Sequence, residues 1–522
     1  MFIAFLVLLA VPKVIFGYTD DEILYDFFPA DFKWACATSA YQIEGGWNED
    51  GKGVNIWDTF AAVPGNILDG SDGKIACDSY HKYQEDVALL KSLGVHQYRF
   101  SISWSRVLPQ GTGAVNEKGI EYYRNLTQAL LDNGIEPMVT LYHWDLPQAL
   151  EDHGGWHNSS SAEWFREFAD VMFSRLGDKV KFWITLNEPW VVAFHGYGTG
   201  EKAPGVVGNG TGAYLAGHNL LRAHAMAYHL YNDNYKATQG GRIGITLNIA
   251  WHVPKDETQQ SKDAAVRGLE FDLGWFANPV FVNGDYPAIM RQQIDRKDQE
   301  MGLTTKRLPE FTPEEKRLLN GSADFFGMNF YTSSVAEDFK FSPAKDDFNE
   351  DKDIKTYPDP TWYQAGSSWL YITPFGIREQ LKYIKENYGD NTEIYITENG
   401  CSDTAGNLDD FARVYYYKRY INNVLKAIRL DQVNVKGYAA WSLMDNFEWS
   451  VGYTEKFGIH SVDFNNPERP RTMKESAKLY QKIVNDNGFV EEETCVTGGS
   501  KTVVIPFLLL PLMVFLCITM KH

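Results

Sequence analysis

The chain holds little that would point to a metal, a disulfide framework or a nucleic-acid partner. Its 522 residues include five cysteines, and Cys36, Cys77, Cys401, Cys495 and Cys517 are neither spaced for zinc nor dense enough to staple a small fold. His218, His224 and His229 lack the spacing of a zinc helix, so no metal and no other cofactor is expected. Positive charge is scarce as well: 49 Lys and Arg stand against 68 Asp and Glu, a net charge of −19. That balance disfavours a nucleic-acid backbone or an anionic membrane surface as partner. The glycines of GKGVNIWD do not have the Walker phosphate-loop pattern. No Pro/Gly/Ser-rich linker, low-complexity tract or repeat interrupts the middle of the chain, so one compact domain is expected over residues 20–488.

What is present in quantity is apolar and aromatic material. At 44% hydrophobic and 22% charged residues the composition is that of a globular protein with a large core. Fifteen Trp and 29 Tyr supply flat apolar faces with polar tips, which suit a sugar-binding cleft and equally fill a large core.

The two ends differ from the rest. MFIAFLVLLAVPKVIFG, residues 1–17, is nearly all apolar and reads as a cleaved secretory signal peptide, although it lacks a positive n-region. Residues 489–502 read as a polar stalk, and Val503 to Met520 (VVIPFLLLPLMVFLCITM) as an uncharged anchor followed only by Lys521 and His522. Eighteen apolar residues sit at the lower limit for a spanning helix. Small residues at Thr497 to Ser500 also suit a removable glycolipid-anchor signal, but they leave too short a polar spacer, which favours the helix. Either route implies a cell-surface or extracellular protein attached to the membrane through its C-terminal segment. Asn-X-Ser/Thr acceptors at Asn125, Asn158, Asn209 and Asn320 agree with passage through the secretory pathway.

Between the ends, short β-rich apolar segments alternate with stretches of helical periodicity such as YQEDVALLKSLG. The segments are 33–40, 97–104, 137–142, 180–186, 242–249, 325–331, 393–397 and 437–442, and eight is the number for a single closed (β/α)8 TIM barrel. Such barrels collect their chemistry at the C-terminal ends of the strands. The residues found there are polar and aromatic: Gln42 and Glu44; Trp104 and Arg106; His143, Trp144 and Asp145; Asn187 and Glu188; His252; Asn329 and Tyr331; Glu398 and Asn399; Trp441, Asp445, Glu448 and Trp449. They are expected to form one cavity floor.

Cleaving an acetal needs a proton for the leaving oxygen and a partner for the charge that develops on the anomeric carbon, hence two facing carboxyl groups. Glu188 in TLNEPW and Glu398 in ITENG are the best pair, at about the fourth and seventh strands. A separation near 5 Å would mean attack by a carboxylate with retention, and about 6.5–9.5 Å would admit a water and invert. Either Glu alone is more often a salt-bridge partner, and His143 alone a core histidine. Their company of donors and acceptors, Gln42, His143, Asn187 and Glu448, is what a hydroxyl-rich ligand requires.

From FKWACATSAYQIEGG through RFSISWSRVLP, YHWDLPQAL, TLNEPW, MNFYTS and ITENG to WSLMDNFEWSVGYTEKFGIHSVDF, the chain resembles glycoside hydrolase family 1, which contains β-glucosidases, lactases and myrosinases. The resemblance covers nearly the whole domain. It implies Glu188 as acid/base and Glu398 as nucleophile, with a small β-glycoside as substrate. Gln42, His143, Asn187, Glu448 and Trp449 would hold the glycone hydroxyls, and Trp441 would form a stacking platform. Arg99 and Tyr331 would contact the nucleophile, Asn329 would lie beside the pair, and Trp369 would stand on the aglycone side. Arg99, a permanent cation, would keep Glu398 ionised, and that charge would raise the proton affinity of Glu188.

Three other readings compete. The family also contains klotho-like binding domains that have lost catalytic carboxylates, whereas both are present here. Thioglucosidases of the plant type carry Gln at the acid/base position, where this chain has Glu188; animal ones keep Glu. Transglycosylation stays open. Cys401, where an aromatic residue is common, is expected to alter the rim, and the 340–364 loop to contact the aglycone. Nothing in the sequence specifies the glycone epimer or an oligomeric state. The secreted chain is expected to begin near Tyr18 and to carry N-glycans; N-terminal sequencing and glycosidase-induced mass loss check this, and an unglycosylated product starting at Met1 would contradict it.

Overall fold

The computed structural model describes residues 22–491. The segments read as signal peptide and anchor, and nearly all of the stalk, lie outside the described residues. Among the described residues no helix is long and apolar enough to cross a membrane. The compact body ends at Phe489.

Eight parallel strands build its centre: β1 Lys33–Ala37, β2 Gln97–Ser101, β3 Glu136–Tyr142, β4 Phe182–Asn187, β5 Arg242–Pro254, β6 Phe326–Asp338, β7 Ile394–Asn399 and β8 Val435–Trp441. Each pairs with the next, and β8 returns to β1 with Lys33 opposite Gly437 and Ala37 opposite Trp441, so the barrel closes. Helices cover the outside, which buries these strands on both faces; that is why KWACA, FWITLN and IYITEN read as near-continuous apolar runs instead of alternating ones. The (β/α)8 architecture expected from the sequence is therefore the one observed.

Helix Phe411–Arg429 shows how the outer ring is specified. Tyr416, Tyr417, Tyr420, Ile421, Val424 and Leu425 recur at intervals of three and four, forming one buried face. Lys426 and Arg429 in its last turn complement the negative end of the helix dipole. Helix Ser79–Leu93 stops where Gly94 takes a left-handed conformation (φ 76°) and its N–H closes onto Lys91 O.

Two strands run longer than their apolar cores suggest. β5 continues past Ile249 to Pro254 and β6 past Tyr331 to Asp338, still paired in parallel, with Pro254 opposite Ala336. Beyond the barrel rim a further strand, Ile354–Tyr357, adds antiparallel to the outer part of β6.

Inside the barrel the lower layer is apolar. Met138, Phe182, Ile184, Phe325 and Tyr395 form a cluster separate from the outer core, with the Phe182 ring 4.4 Å from Phe325 and 4.7 Å from Tyr395. This plug closes the barrel floor and carries a polar layer: Arg99 Nε donates to Thr140 Oγ1 (3.1 Å), Thr246 Oγ1 to Thr397 Oγ1 (3.2 Å), and Thr397 Oγ1 to Asn329 Oδ1 (2.8 Å). Phe182→Ala is expected to lower unfolding stability by about 3–5 kcal/mol, because the surrounding strands cannot collapse into the void. Denaturant titration measures this; a loss under about 1 kcal/mol would mean that the plug does not hold the barrel.

Candidate active site

Both candidate carboxyls follow an irregularity in their strand. Alternation along β4 would put Phe182, Ile184 and Leu186 on one face. Phe182 and Ile184 do belong to the inner plug, but Leu186 packs in the outer core. The register against β5 slips between Ile184 and Asn187, and the slip turns Asn187 inward. In β7 the inward Tyr395 and Thr397 are followed by an Asn399 that binds the hydroxyls of Tyr416 (2.9 Å) and Tyr438 (2.6 Å) on helix and strand neighbours. Here the register slips between Ile396 and Glu398 against β6, and between Ile396 and Asn399 against β8. Bulges re-aim side chains in this way. Glu188 is also held in a left-handed backbone conformation (φ 46°), as are Trp144 (φ 76°) and Trp449 (φ 51°). Such residues store roughly 1–3 kcal/mol of strain each and persist only where their surroundings enforce them.

A continuous network joins the two carboxyls. Arg99 is fully buried, and every nitrogen of its guanidinium is used: Nη1 donates to Glu398 Oε1 (2.5 Å) and Thr397 O (3.0 Å), Nη2 to Asn187 Oδ1 (2.6 Å), and Nε to Thr140. Tyr331 donates its hydroxyl to the other oxygen of Glu398 (2.7 Å). Asn329 Nδ2 donates to Glu188 Oε1 (2.6 Å) and to Asn187 Oδ1 (3.1 Å). Burial, and after it the negative charge of Glu398, push the Glu188 carboxyl up to about 8; the Asn329 bond and the positive charges of Arg99 and Lys202 pull the other way. One carboxyl thus has a cation and a phenol on it, while the other favours its proton near neutrality.

The network also fixes His143. Because Asn187 Oδ1 already accepts from Arg99 and Asn329, its Nδ2 must donate to His143 Nε2 (3.0 Å), which makes Nε2 an acceptor and leaves the proton on Nδ1. That buried Nδ1 has no hydrogen-bond partner among the described residues. Burial first, and the charge of Arg99 second, hold the imidazole well below its usual range, so it is neutral. His143 stacks against Trp441 (5.7 Å, 17°) and Trp449 (5.8 Å, 18°).

A cavity of about 560 Å³ lies over this network. Glu188, Glu398, His143, Asn329, Tyr331, Trp369, Trp441, Glu448 and Trp449 line it, so the structure brings nine of the expected site residues onto one wall. Arg99, Asn187 and Gln42 stand behind that wall. Gln42 accepts from Ser39 Oγ (2.6 Å) and donates through Nε2 to Asn446 Oδ1 and Phe447 O (both 2.9 Å) and to Glu448 Oε2 (3.4 Å); it therefore orients the Glu448 segment. Trp369, half exposed, stacks over Phe457 at the mouth (6.4 Å, 19°).

Several strand-end residues expected in one cavity floor serve elsewhere. Glu44 pairs with Arg106 (3.0 Å) and Asp445 with Lys474 (2.8 Å), both buried ion pairs away from the cavity. His252 joins Asp272 (2.8 Å) and Ser334 (2.9 Å) between the extensions of β5 and β6. Cys401 is buried and does not shape the rim, and the 340–364 loop braces β6 without reaching the cavity wall. The sequence reading missed other wall residues: Trp190, Asn248, Asp272, Glu455, and the loop after β4 that carries Lys202. The KAP tripeptide that holds Lys202 has no local signature of its placement.

Fold and cavity define a (β/α)8 barrel with paired carboxyls in a cavity at the C-terminal ends of its strands. The model for glycosyl hydrolase family 1 matches residues 24–489, and the chain belongs to that family. It is 51% identical over 479 residues to human lactase/phlorizin hydrolase, an alignment that covers 91% of this chain and 25% of that protein; the chain thus spans about a quarter of its length. It is 46% identical to human cytosolic β-glucosidase, covering 88% of this chain and 98% of the other. Among solved structures, a mutant rice β-glucosidase in a covalent complex with glucose matches with a TM-score of 0.83 at 39% identity, covering 89% of this chain and 99% of that one.

The raised Glu188 carboxyl has a consequence for stability. Its folded value, about 8, exceeds its ordinary 4.5, so above pH 4.5 the unfolded chain ionises this group first and the folded state loses ground until about pH 8. Glu188→Gln, neutral throughout, is expected to melt higher than the parent, with a gap that is small at pH 5 and grows toward pH 8. Calorimetry at both pH values tests this, and a gap independent of pH would refute it.

Proposed function

We propose that this chain is a retaining β-glycosidase that hydrolyses terminal β-D-glucosides by double displacement, with Glu188 as acid/base and Glu398 as nucleophile. The observation that carries the reading is the asymmetry of the pair: Arg99 and Tyr331 hold both oxygens of Glu398, while burial and the charge of Glu398 keep a proton on Glu188. In the first step the Glu188 proton passes to the glycosidic oxygen, the bond from that oxygen to the anomeric carbon breaks, and a Glu398 oxygen forms an ester with that carbon. The ester removes the negative charge of Glu398, which lowers the proton affinity of Glu188. Glu188 then takes a proton from water as the water oxygen displaces Glu398, and both carboxyls return to their starting states. His143 Nδ1–H and Glu448 supply a donor and an acceptor for glycone hydroxyls, and Trp441 a face for the ring. The presence of both carboxyls speaks for an enzyme over a binding domain, and the covalent glucose complex of the rice relative is in line with an ester intermediate.

The proposal extends to location: a secreted or cell-surface glycoprotein, processed after residue 17 and attached through 503–520. Asn125, Asn209 and Asn320 are exposed, and Asn158, half-buried, donates its amide to His153 O (2.8 Å). These acceptors fit glycosylation of the folded surface better at the first three positions.

A 2-deoxy-2-fluoro β-glucoside with a good leaving group is expected to inactivate the enzyme and leave one sugar on Glu398, because the fluorine slows ester hydrolysis more than the activated first step. Peptide mass analysis locates the label. Label on another residue, or turnover with inversion, would reject the assignment.

A further inference from the structure

Lys202 lines the cavity wall but takes no part in the hydrogen-bond network that joins the two carboxyls. It lies in the loop after β4, in a fixed backbone: its N–H donates to His195 O (3.2 Å) and its carbonyl accepts from Gly205 N (2.8 Å). The loop rests on the preceding turn so closely that a Cβ on Gly196 would stand 3.0 Å from Ala203 O. The side chain therefore has a defined root. Its ammonium hangs 5.4 Å from the ring centre of Trp144, which in turn packs on Trp449 (4.6 Å), and it lines the cavity beside Glu448 and Glu188.

The charged groups facing this ammonium are all carboxyls: Glu448 acts on it most strongly, then Glu188, Glu201 and Glu455. Glu201 is already engaged by His195 (2.8 Å) and Glu188 by Asn329. Glu455 accepts from Ser367 Oγ. Among the described residues the Glu448 side chain has only the long bond from Gln42 (3.4 Å). Among the described residues Lys202 makes no ion pair within 4.0 Å and no side-chain hydrogen bond. A donor with three N–H groups and an acceptor with spare lone pairs thus line one cavity without touching. A single hydroxyl can serve both, since it accepts from one and donates to the other.

We infer that Lys202 is a specificity-determining residue, whose ammonium and the Glu448 carboxyl bracket the same hydroxyl of the glycone. The inference rests on the glycosidase reading. It names the chemical class the pair selects: a neutral sugar bearing a hydroxyl at that position, with a hydrogen or an ether there disfavoured because the two half-buried groups would both lose a hydrogen-bond partner.

The test combines variants with deleted hydroxyls. Using 4-nitrophenyl β-D-glucoside and its monodeoxy analogues, Lys202→Met is expected to lower kcat/KM on the parent sugar about 10- to 100-fold, the range for a charge-assisted bond. On one monodeoxy sugar that penalty should vanish, and it should be the sugar on which Glu448→Gln also loses its penalty. Lys202→Gln, which keeps an uncharged donor, should fall between. A penalty equal on all sugars, one that vanishes at a different hydroxyl from that of Glu448→Gln, or no penalty at all would overturn the inference. If the parent enzyme turned over no aryl glycoside, the proposed function would fail first. Calorimetric binding of D-glucose and the monodeoxyglucoses then decides the inference separately: the same loss and the same missing hydroxyl in Kd uphold it, and unchanged Kd values overturn it.

Discussion

The buried guanidinium of Arg99, bonded through each of its nitrogens, is the interaction on which the rest of the site depends. A buried cation is tolerated only when its charge is paired and its donors are largely met, and here the four hydrogen bonds that do so come from β3, β4 and β7. The same requirement that keeps Arg99 buried therefore ties three strands together at one level of the barrel. It also sets everything downstream: the direction of the Asn187 amide, through it the tautomer of His143, and through Asn329 the place of Glu188. The aromatic plug beneath excludes water from below, which makes each of these bonds electrostatically stronger and each unmet group more expensive.

The cavity shows how conflicting demands share a small space. Glu188 and Glu448 are both pushed up to about 8, chiefly by burial, and both are opposed by Lys202. The cavity thus gathers the least comfortable groups at one place, and the left-handed residues Trp144, Glu188 and Trp449 add backbone strain at the same point. The outer core of the barrel, with its large buried aromatics, is what makes that tolerable.

Much of this could be read from the chain because parallel barrel strands, buried on both faces, advertise themselves as apolar runs, and the residues that follow them carry the chemistry. Glu188, Glu398, His143, Tyr331 and Trp441 all lay at such run ends. The signal fails in two ways. A carboxyl after a strand looks the same whether it faces the cavity or an arginine 62 positions along, and so Glu44 and Asp445 read as site residues although they serve Arg106 and Lys474. In the other direction, Lys202 and Glu455 reach the wall from loops and Asp272 from the helical turn Glu270–Gly274, and only the folded path of those segments places them there. β5 and β6 were legible only to the rim, because beyond it their pairing depends on each other and on strand Ile354–Tyr357 instead of on a continuous apolar run.

The register slips in β4 and β7 carry a final implication. Each flips the parity of its strand at one point, so that Asn187 turns into the barrel and Asn399 out of it. The address of each carboxyl is accordingly stored as a tally of residues between the plug and the slip, and not in any contact the carboxyl itself makes. Side chains along these two strands can be exchanged for others of similar size and leave the address intact. A one-residue insertion or deletion between Ile184 and Asn187, or between Ile396 and Asn399, rewrites it, and so the length of these two short stretches is constrained independently of what their side chains contact.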